Sequence, residues 1–211
     1  MPSFYVQYGC GLTAPIEWDN YDASPTLRIQ KNPVLKRLFK NKLNTIFPPN
    51  VKYGDIVKGL KIKENSCKGV YCSHTLEHLS LEDFREALSN TFKILQPGGI
   101  FRCVLPDLEI ATRTYLKELD NGNRKASIDY IGGILIGLKS RPKGIKRIAE
   151  SVFGNAHHLW MWDKHSIAEE LKSVGFKNIR VCVFNDSEEA MFRYVEDSSR
   201  FNAAIALQCY K

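Results

Sequence analysis

The sequence predicts an α/β fold with a mostly parallel sheet, and two observations lead to this prediction. First, the apolar run Val70–Ser73 is followed by a segment with helical spacing and then by a Pro-Gly-Gly turn into a second apolar run, Ile100–Leu105. Strand, helix, turn and strand in this order form a parallel α/β unit. Second, the same alternation resumes near the end of the chain, where the helical segment Lys164–Val174 precedes the strand-like segment Asn178–Phe184.

Three strands and one helix are predicted before Val70. Phe4–Tyr8 and Trp18–Ala23 are short segments rich in aromatic residues, which favours strands. From Pro25 to about Ile46, apolar residues recur at helical spacing between lysines, so a helix with a basic outer face is predicted. The helix ends before Pro48, and Val51–Val57 is the predicted third strand.

After the fourth strand, Val70–Ser73, Ser80 is placed to cap a helix. The buried face of that helix is predicted to comprise Leu81, Phe84, Leu88, Phe92 and Leu95. Ile100–Leu105 is the fifth strand, and Leu108–Leu119 is predicted as the next helix. With Asn178–Phe184 and Asn202–Tyr210, the sheet is predicted to have seven strands.

Residues 122–156 do not fit the alternation. They combine a glycine-rich apolar run, 131–138, with a basic run, 139–147, and are predicted to be an insertion that covers the carboxyl edge of the sheet. The 211-residue chain as a whole has 44% apolar residues, which is enough for one core, so 1–211 is expected to be a single domain.

The composition narrows the functional class. No apolar run approaches the roughly 20 residues needed to cross a bilayer, and the six cysteines form no Cys-x-x-Cys pair, which together predict a cytoplasmic protein. The net charge of +7 suits an anionic partner or a solvated surface equally well. Nucleic acid is disfavoured as a partner, because the basic residues are not interleaved with aromatic ones.

Four short motifs, taken in their order along the chain, resemble those of a known family. Gly9-Cys10-Gly11, Trp18-x-Asn20-x-Asp22, Ser73-x-x-Leu76-Glu77-His78 and Pro97-Gly98-Gly99 together resemble the compact, type 11-like branch of class I S-adenosylmethionine-dependent methyltransferases. The resemblance implies a Rossmann-like methyltransferase fold with an antiparallel last strand and helices on both faces. It also implies S-adenosylmethionine as cofactor and, because this branch is associated with polysaccharide biosynthesis, a sugar or glycan hydroxyl as methyl acceptor.

The cofactor site is predicted at the carboxyl ends of the first four strands, where glycine lets the backbone approach a ligand. The resemblance implies that Asp22 accepts from the ribose hydroxyls, that Asp55 meets the adenine, and that Gln7 replaces the usual Asp near the cofactor's amino group. The full predicted set is Gln7, Gly9, Cys10, Gly11, Asp22, Gly54, Asp55, Ile56, Ser73 and His74. The alternatives are an Asx turn at Asp22 and a helix cap at Asp55.

An oxygen acceptor also needs a group that takes its proton. His158 is the predicted base, since it aligns with the family's histidine two residues before Trp160, and Asp107 is the second candidate. Arg113, His157 and Trp160 are predicted to contact the acceptor. Alternatively, Trp160 only packs the insertion against the core.

The remaining expectations concern metal binding, an anionic acceptor, the oligomeric state and catalytic turnover. No metal site is predicted, because His157, His158 and His165 have no cysteine or carboxylate at a suitable spacing. The basic segments 34–43 and 139–147 could line a site for an anionic acceptor, and a homo-oligomer is left open. Gln7 and the absence of a helix between the first two strands leave a second function open, a degenerate methyltransferase-like subunit that binds cofactor or a partner without turnover.

Overall fold

The computed structural model describes residues 4–39, 45–138, 140 and 157–211. Its strands are β1 (Tyr5–Tyr8), β2 (Asp19–Asp22), β3 (Val51–Tyr53), β4 (Cys67–Ser73), β5 (Leu95–Pro106), β6 (Lys177–Val181) and β7 (Ala204–Tyr210). They form one sheet in the order β3-β2-β1-β4-β5-β7-β6. The first five strands pair in parallel, whereas β7 runs antiparallel to both β5 and β6. The predicted fold, a mostly parallel sheet with an antiparallel last strand, is confirmed.

The helices are α1 (Pro25–Lys31), α2 (Pro33–Phe39), α3 (Leu81–Ile94), α4 (Leu108–Asp120), α5 (Ala126–Gly133) and α6 (Lys164–Val174). The buried faces of α3 and α6, with Phe84 and Ile167, pack with Val70 and Phe101 of β4 and β5 in the main core. The opposite face of the sheet is covered by a second cluster around Phe192, which includes the 3₁₀ turn Ala190–Tyr194. A further 3₁₀ turn, Ser198–Phe201, follows it, and another, Leu76–His78, lies after β4.

The single helix predicted from Pro25 to Ile46 is wrong, because the structure breaks it at Asn32. Asn32 has an extended backbone (ψ 117°), as expected for a residue before proline. Its side chain then accepts from the backbone N–H groups of Val34 and Leu35 and caps α2. Residues 40–44 of the predicted helix lie outside the described residues.

The connection between β1 and β2 is made of turns, as the short spacing of the motifs predicts. Trp18 closes this connection: its ring packs on Tyr5 and Phe192, and its Nε1 donates to the carbonyl of Met191 at 3.0 Å. The loop from Gly9 to Trp18 therefore reaches β2 without an intervening helix.

Within 122–156, the structure describes α5 and the residues up to Leu138, together with Ser140. The basic run 139–147, predicted as part of a cover, lies otherwise outside the described residues. None of the helices in the described part of the chain has both the length and the apolar content to cross a membrane.

Candidate functional site

The loop after β1 bends sharply at the carboxyl edge of the sheet. Gly9 (φ +63°) and Gly11 (φ +54°) both take the left-handed conformation that favours glycine. A β carbon on Gly9 would overlap the Thr75 side chain and lie 2.6 Å from its Cγ2, whereas none of the described atoms would lie within 4 Å of a β carbon on Gly11. The absence of a side chain at Gly9 therefore permits close packing of the loop on the segment after β4, whereas the space beside Gly11 is open.

Asp22, at the end of β2, holds this loop in place. One carboxylate oxygen accepts from the backbone N–H of Gly11 at 3.0 Å, and the other accepts from that of Ser24 at 2.8 Å. The second contact is the predicted Asx turn before Pro25. Each oxygen can accept a further hydrogen bond. Asp22 therefore orders the loop and still offers acceptor capacity for hydroxyl groups.

Gln7 lies below the loop with 2% of its surface exposed. Its amide nitrogen donates to the carbonyl oxygen of Thr13 at 2.7 Å and to the side-chain oxygen of Asn20. Both donor hydrogens are therefore engaged within the protein, and in this arrangement Gln7 fixes the loop and β2 relative to β1.

The segment after β3 is a turn. Gly54 passes so close to the Tyr21 ring that a β carbon would lie 2.6 Å from it. Asp55 accepts from the backbone N–H of Val57 at 3.1 Å and pairs with Lys58 at 3.0 Å, so it caps the turn as the alternative interpretation expected. The side chain of Ile56 is buried in the main core.

Two buried hydroxyls lie at the end of β4. The hydroxyls of Tyr71 and Ser73 are inaccessible to solvent, and neither makes a well-formed hydrogen bond with any described residue. Both side chains line a narrow cleft of about 30 Å³. The cleft is lined by Gln7, Tyr8, Gly9, Cys10, Thr13, Tyr71, Ser73, Val195, Asp197 and Arg200. The predicted glycine loop and the end of β4 are thus brought together there.

A larger cavity of about 670 Å³ adjoins the cleft and lies against α4 and α5. Its polar lining comprises His74, Asp107, Thr114, Tyr115, Glu118, Asn123, Asp129, Tyr130, His158 and Asn202. His74 lines this cavity, whereas the preceding residue, Ser73, lines the cleft. The Nε2 atom of His74 also lies 2.9 Å from the carbonyl oxygen of Arg200, which belongs to the wall of the cleft. The two spaces therefore share the Ser73–His74 junction.

The predicted acceptor-side residues divide into two groups. Asp107 and His158 both line the cavity. Asp107 caps α4, its Oδ1 accepting from the N–H groups of Glu109 (2.7 Å) and Ile110. By contrast, the structure places Arg113 in a shallow groove on another side of α4, paired with Glu109, and leaves Trp160 43% exposed. His157 directs Nδ1 to the carbonyl of Leu135 at 3.2 Å, and neither it nor Trp160 lines the described cavity.

A cluster that the sequence interpretation missed lies behind the cavity wall. The carboxylate of Glu77, 1% exposed, lies 3.4 Å from His74 Nδ1 and 4.0 Å from His78 Nε2. The His78 ring also packs edge-on against that of His158, with 5.0 Å between the centroids. Residues 74–78 meet His158 because the carbonyl of Glu77 accepts from the N–H groups of Leu159 and Trp160. No short motif could have signalled this contact across 80 residues of sequence.

The histidines of this cluster differ in their proton affinity. Burial lowers the pKa of His158; the nearby Glu77 carboxylate offsets this only in part, so the net pKa is below the ordinary value. For His74, burial also lowers the pKa, but the Glu77 carboxylate 3.4 Å away and the Arg200 carbonyl raise it by more, so the net pKa is above the ordinary value. His158 is therefore the more readily neutral of the two imidazoles.

Residues 6–103 match the family model described as a methyltransferase domain. No curated protein matches the sequence significantly.

Solved structures with the same fold are distant in sequence. A SAM-dependent methyltransferase from Thermotoga maritima, described as a possible histamine N-methyltransferase, has a TM-score of 0.51 and 14% identity over 100% of this chain and 83% of its own. The CMeT domain of a citrinin polyketide synthase has a TM-score of 0.51 and 14% identity, covering 99% of this chain and 46% of that one. The CurJ carbon methyltransferase has a TM-score of 0.50 and 12% identity, with coverages of 99% and 48%. At such identities these likenesses establish the fold.

Proposed function

Because the chain carries a class I S-adenosylmethionine-dependent methyltransferase domain, we propose that the cleft holds the cofactor and that the adjoining cavity holds the methyl acceptor. The observation that supports this proposal most directly is at the Ser73–His74 junction. Ser73 lines the cleft, and the next residue, His74, lines the cavity. Methyl transfer requires the donor and acceptor atoms to be in line and close. Two spaces that meet at one residue boundary provide that arrangement.

The residues of the cleft, together with Gly11 and Asp22 of the neighbouring loop and strand, fit S-adenosylmethionine. Gly11 leaves room for a ligand against the backbone. Asp22 retains acceptor capacity suited to ribose hydroxyls, and the unpartnered hydroxyl of Ser73 needs a polar partner. When bound, this cofactor supplies an electrophilic methyl group on a sulfonium. The cleft, about 30 Å³, is much smaller than the cofactor, so it would have to widen on binding.

For the acceptor we propose a neutral, polyhydroxylated molecule, and specifically a sugar or glycan hydroxyl. A cavity of about 670 Å³ is in the range that takes small molecules. Its described lining contains three carboxylates, Asp107, Glu118 and Asp129, and neither lysine nor arginine, which disfavours an anionic acceptor. Amide, hydroxyl and carboxylate groups around one cavity suit a ligand with many hydroxyls.

Two groups on the cavity wall are proposed to take the proton of the acceptor hydroxyl. His158 has the lowered pKa of a neutral imidazole, which can accept a proton near pH 7. Asp107 has one oxygen occupied by the N-terminus of α4, and no described residue donates to its other oxygen. Both groups therefore remain candidates for the base of an O-methylation.

A second candidate function is a degenerate subunit that binds a partner without turnover, and the small size of the cleft favours it. Calorimetry with S-adenosylmethionine and S-adenosylhomocysteine separates the two functions. Binding at micromolar concentrations, together with a methyl gain detected by mass spectrometry in a screen of sugars and nucleotide sugars, would support the enzyme. Absence of binding at millimolar cofactor would contradict it and leave the degenerate subunit.

A further inference from the structure

Glu77 carries a buried carboxylate that lacks hydrogen-bond donors. The side chain is 1% exposed, and neither of its oxygens has a hydrogen-bond partner of good geometry among the described residues. Burying a carboxylate in this way is costly unless a cation compensates for the lost hydration. The groups nearest to it are imidazole rings, so their protonation and orientation decide what the carboxylate faces.

The ring of His78 presents a lone pair to this carboxylate. Its Nδ1 lies 2.9 Å from the carbonyl oxygen of His157, and since a carbonyl can only accept, Nδ1 carries the hydrogen. In the neutral ring, Nε2 is then an acceptor, and it lies 4.0 Å from Glu77 Oε1. Two acceptors face each other at a distance that suits a cation between them.

His158 completes the group from another part of the chain. The residue is 9% exposed, and its Nδ1 is buried without a hydrogen-bond partner among the described residues. One ligand atom each from Glu77, His78 and His158 lies within 4.8 Å of the other two. Three potential ligand atoms thus lie close together, and both Glu77 and His158 carry buried polar atoms without a well-formed hydrogen bond.

We propose that Glu77, His78 and His158 bind one divalent transition-metal ion of the zinc type at the wall of the acceptor cavity. Two imidazoles and one carboxylate form a donor set that zinc adopts in open sites. The His157 carbonyl holds the His78 ring in the manner of the outer hydrogen bonds that orient metal-binding histidines. His74, 3.4 Å from Glu77, lies beside the three ligands and lines the cavity.

This site goes beyond methyl transfer and does not depend on it. An ion held there would supply Lewis acidity to a hydroxyl in the cavity, since His158 belongs both to the cluster and to the cavity wall. His158 would then be a ligand, and the role of proton acceptor would belong to Asp107 alone. The competing arrangement is a proton on His74 or His78 that neutralises Glu77 without any metal.

Direct metal binding to the full chain, free of affinity tag and stripped with a chelator, tests the proposal. Zn²⁺ is titrated by calorimetry, and Co²⁺ by its visible absorption. We expect one ion per chain and no thiolate-to-cobalt charge-transfer band, because all six cysteines are buried. Glu77→Gln and His158→Ala should each weaken Zn²⁺ binding by more than about 100-fold. His165→Ala, which removes an exposed histidine outside the cluster, should leave the Zn²⁺ affinity unchanged.

Two results would overturn the metal site: no Zn²⁺ or Co²⁺ binding by the wild-type chain, or equal Zn²⁺ affinity in wild type, Glu77→Gln and His158→Ala. The first would leave a protonated histidine as the partner of Glu77. Circular dichroism checks that each variant folds, and if Glu77→Gln does not fold, His158→Ala at the cavity edge decides. S-adenosylhomocysteine binding is measured in parallel, so that loss of the cofactor site is distinguished from loss of the metal site.

Discussion

Gly9 packs directly against Thr75, so that the loop after β1 touches the segment after β4 with no room for a side chain. Gly11, two residues on, has a similar backbone conformation and open space beside it. The contact joins the two segments that line the cofactor cleft. It also provides a matched pair of positions at which close packing can be separated from backbone strain.

Alanine substitution at these two glycines should have unequal effects on stability. Gly11→Ala incurs the left-handed strain alone, about 1–2 kcal/mol. Gly9→Ala incurs a similar strain and the overlap with Thr75, so we expect a further loss of about 1–3 kcal/mol in the free energy of unfolding. Urea denaturation measures both. Equal losses would mean that Thr75 moves aside freely.

The buried arginine of β5 should be a second determinant of stability. Arg102, 1% exposed, donates to Glu196 at 2.6 Å and to Asp186 at 2.9 Å, which ties the segment after β6 to the sheet. Arg102→Met leaves Glu196 buried without its cation, so the free energy of unfolding should fall by about 3–5 kcal/mol.

The double variant Arg102→Met/Glu196→Gln should recover part of that loss, because the uncompensated charge is removed. Arg85→Met, which breaks a more exposed pair with Glu170, is the control and should have a much smaller effect. A loss for Arg102→Met as small as that of the control would show that the buried network is not stabilising.

Asp163 should make stability depend on pH in the acid range. The backbone N–H of Ser166, together with that of His165, holds the pKa of the carboxyl below its ordinary value. Because the pKa of Asp163 is lower in the folded state, its carboxylate contributes fully to stability above the unfolded-state pKa, about 3.9. This contribution to stability is lost as the pH falls through the folded-state pKa. Asp163→Ala should therefore cost about 1 kcal/mol at pH 7 and progressively less below pH 4.

Thermal unfolding of the wild type and Asp163→Ala from pH 7 to pH 3 provides this comparison. Asp120→Ala, at an exposed position at the end of α4, serves as the control and should lack the pH-dependent difference. A stability difference for Asp163→Ala that stays constant down to pH 3 would mean that the cap does not depend on the carboxylate charge.

The prediction for catalytic activity concerns Asp107. Asp107→Asn keeps a side-chain oxygen that can cap α4 but removes the basic carboxylate, so turnover should fall by about 10²–10⁴ while cofactor affinity is retained. Glu109→Gln alters the adjacent carboxylate, which lines a different groove, and should retain turnover. Methyl gain on the acceptor found by the mass screen is the measure, and full activity of Asp107→Asn would exclude Asp107 as the base.

The sequence predicted the elements whose signals are local. The helix predicted at Lys164–Val174 is present as α6, with Asp163 as its N-cap and Gly175 (φ +112°) as its C-cap. The mostly parallel sheet with an antiparallel last strand followed from the family resemblance. By contrast, the break at Asn32 was missed because the lysine-flanked apolar spacing continues across Pro33, and proline ends the hydrogen-bonding pattern even where the spacing persists.

The candidate site likewise combines features with a local sequence signal and features without one. The contact between the glycine loop and Asp22 could be anticipated because both lie at the carboxyl ends of strands, which a parallel sheet brings together. The cluster of Glu77 with His78 and His158 was missed, because backbone hydrogen bonds from Leu159 and Trp160 to the Glu77 carbonyl create it. Periodicity and motif spacing carry no information on such a long-range contact.

The central claim is that S-adenosylmethionine binds at the carboxyl edge between the glycine loop, Asp22 and Ser73. Calorimetry with S-adenosylhomocysteine on the wild type, Asp22→Ala and Asp55→Ala tests it most directly. We predict that Asp22→Ala weakens binding by about 1.5–3 kcal/mol, the range for a hydrogen bond to a charged group, and that Asp55→Ala has a smaller effect. Unchanged affinity in a folded Asp22→Ala variant, or no binding to the wild type, would contradict the claim.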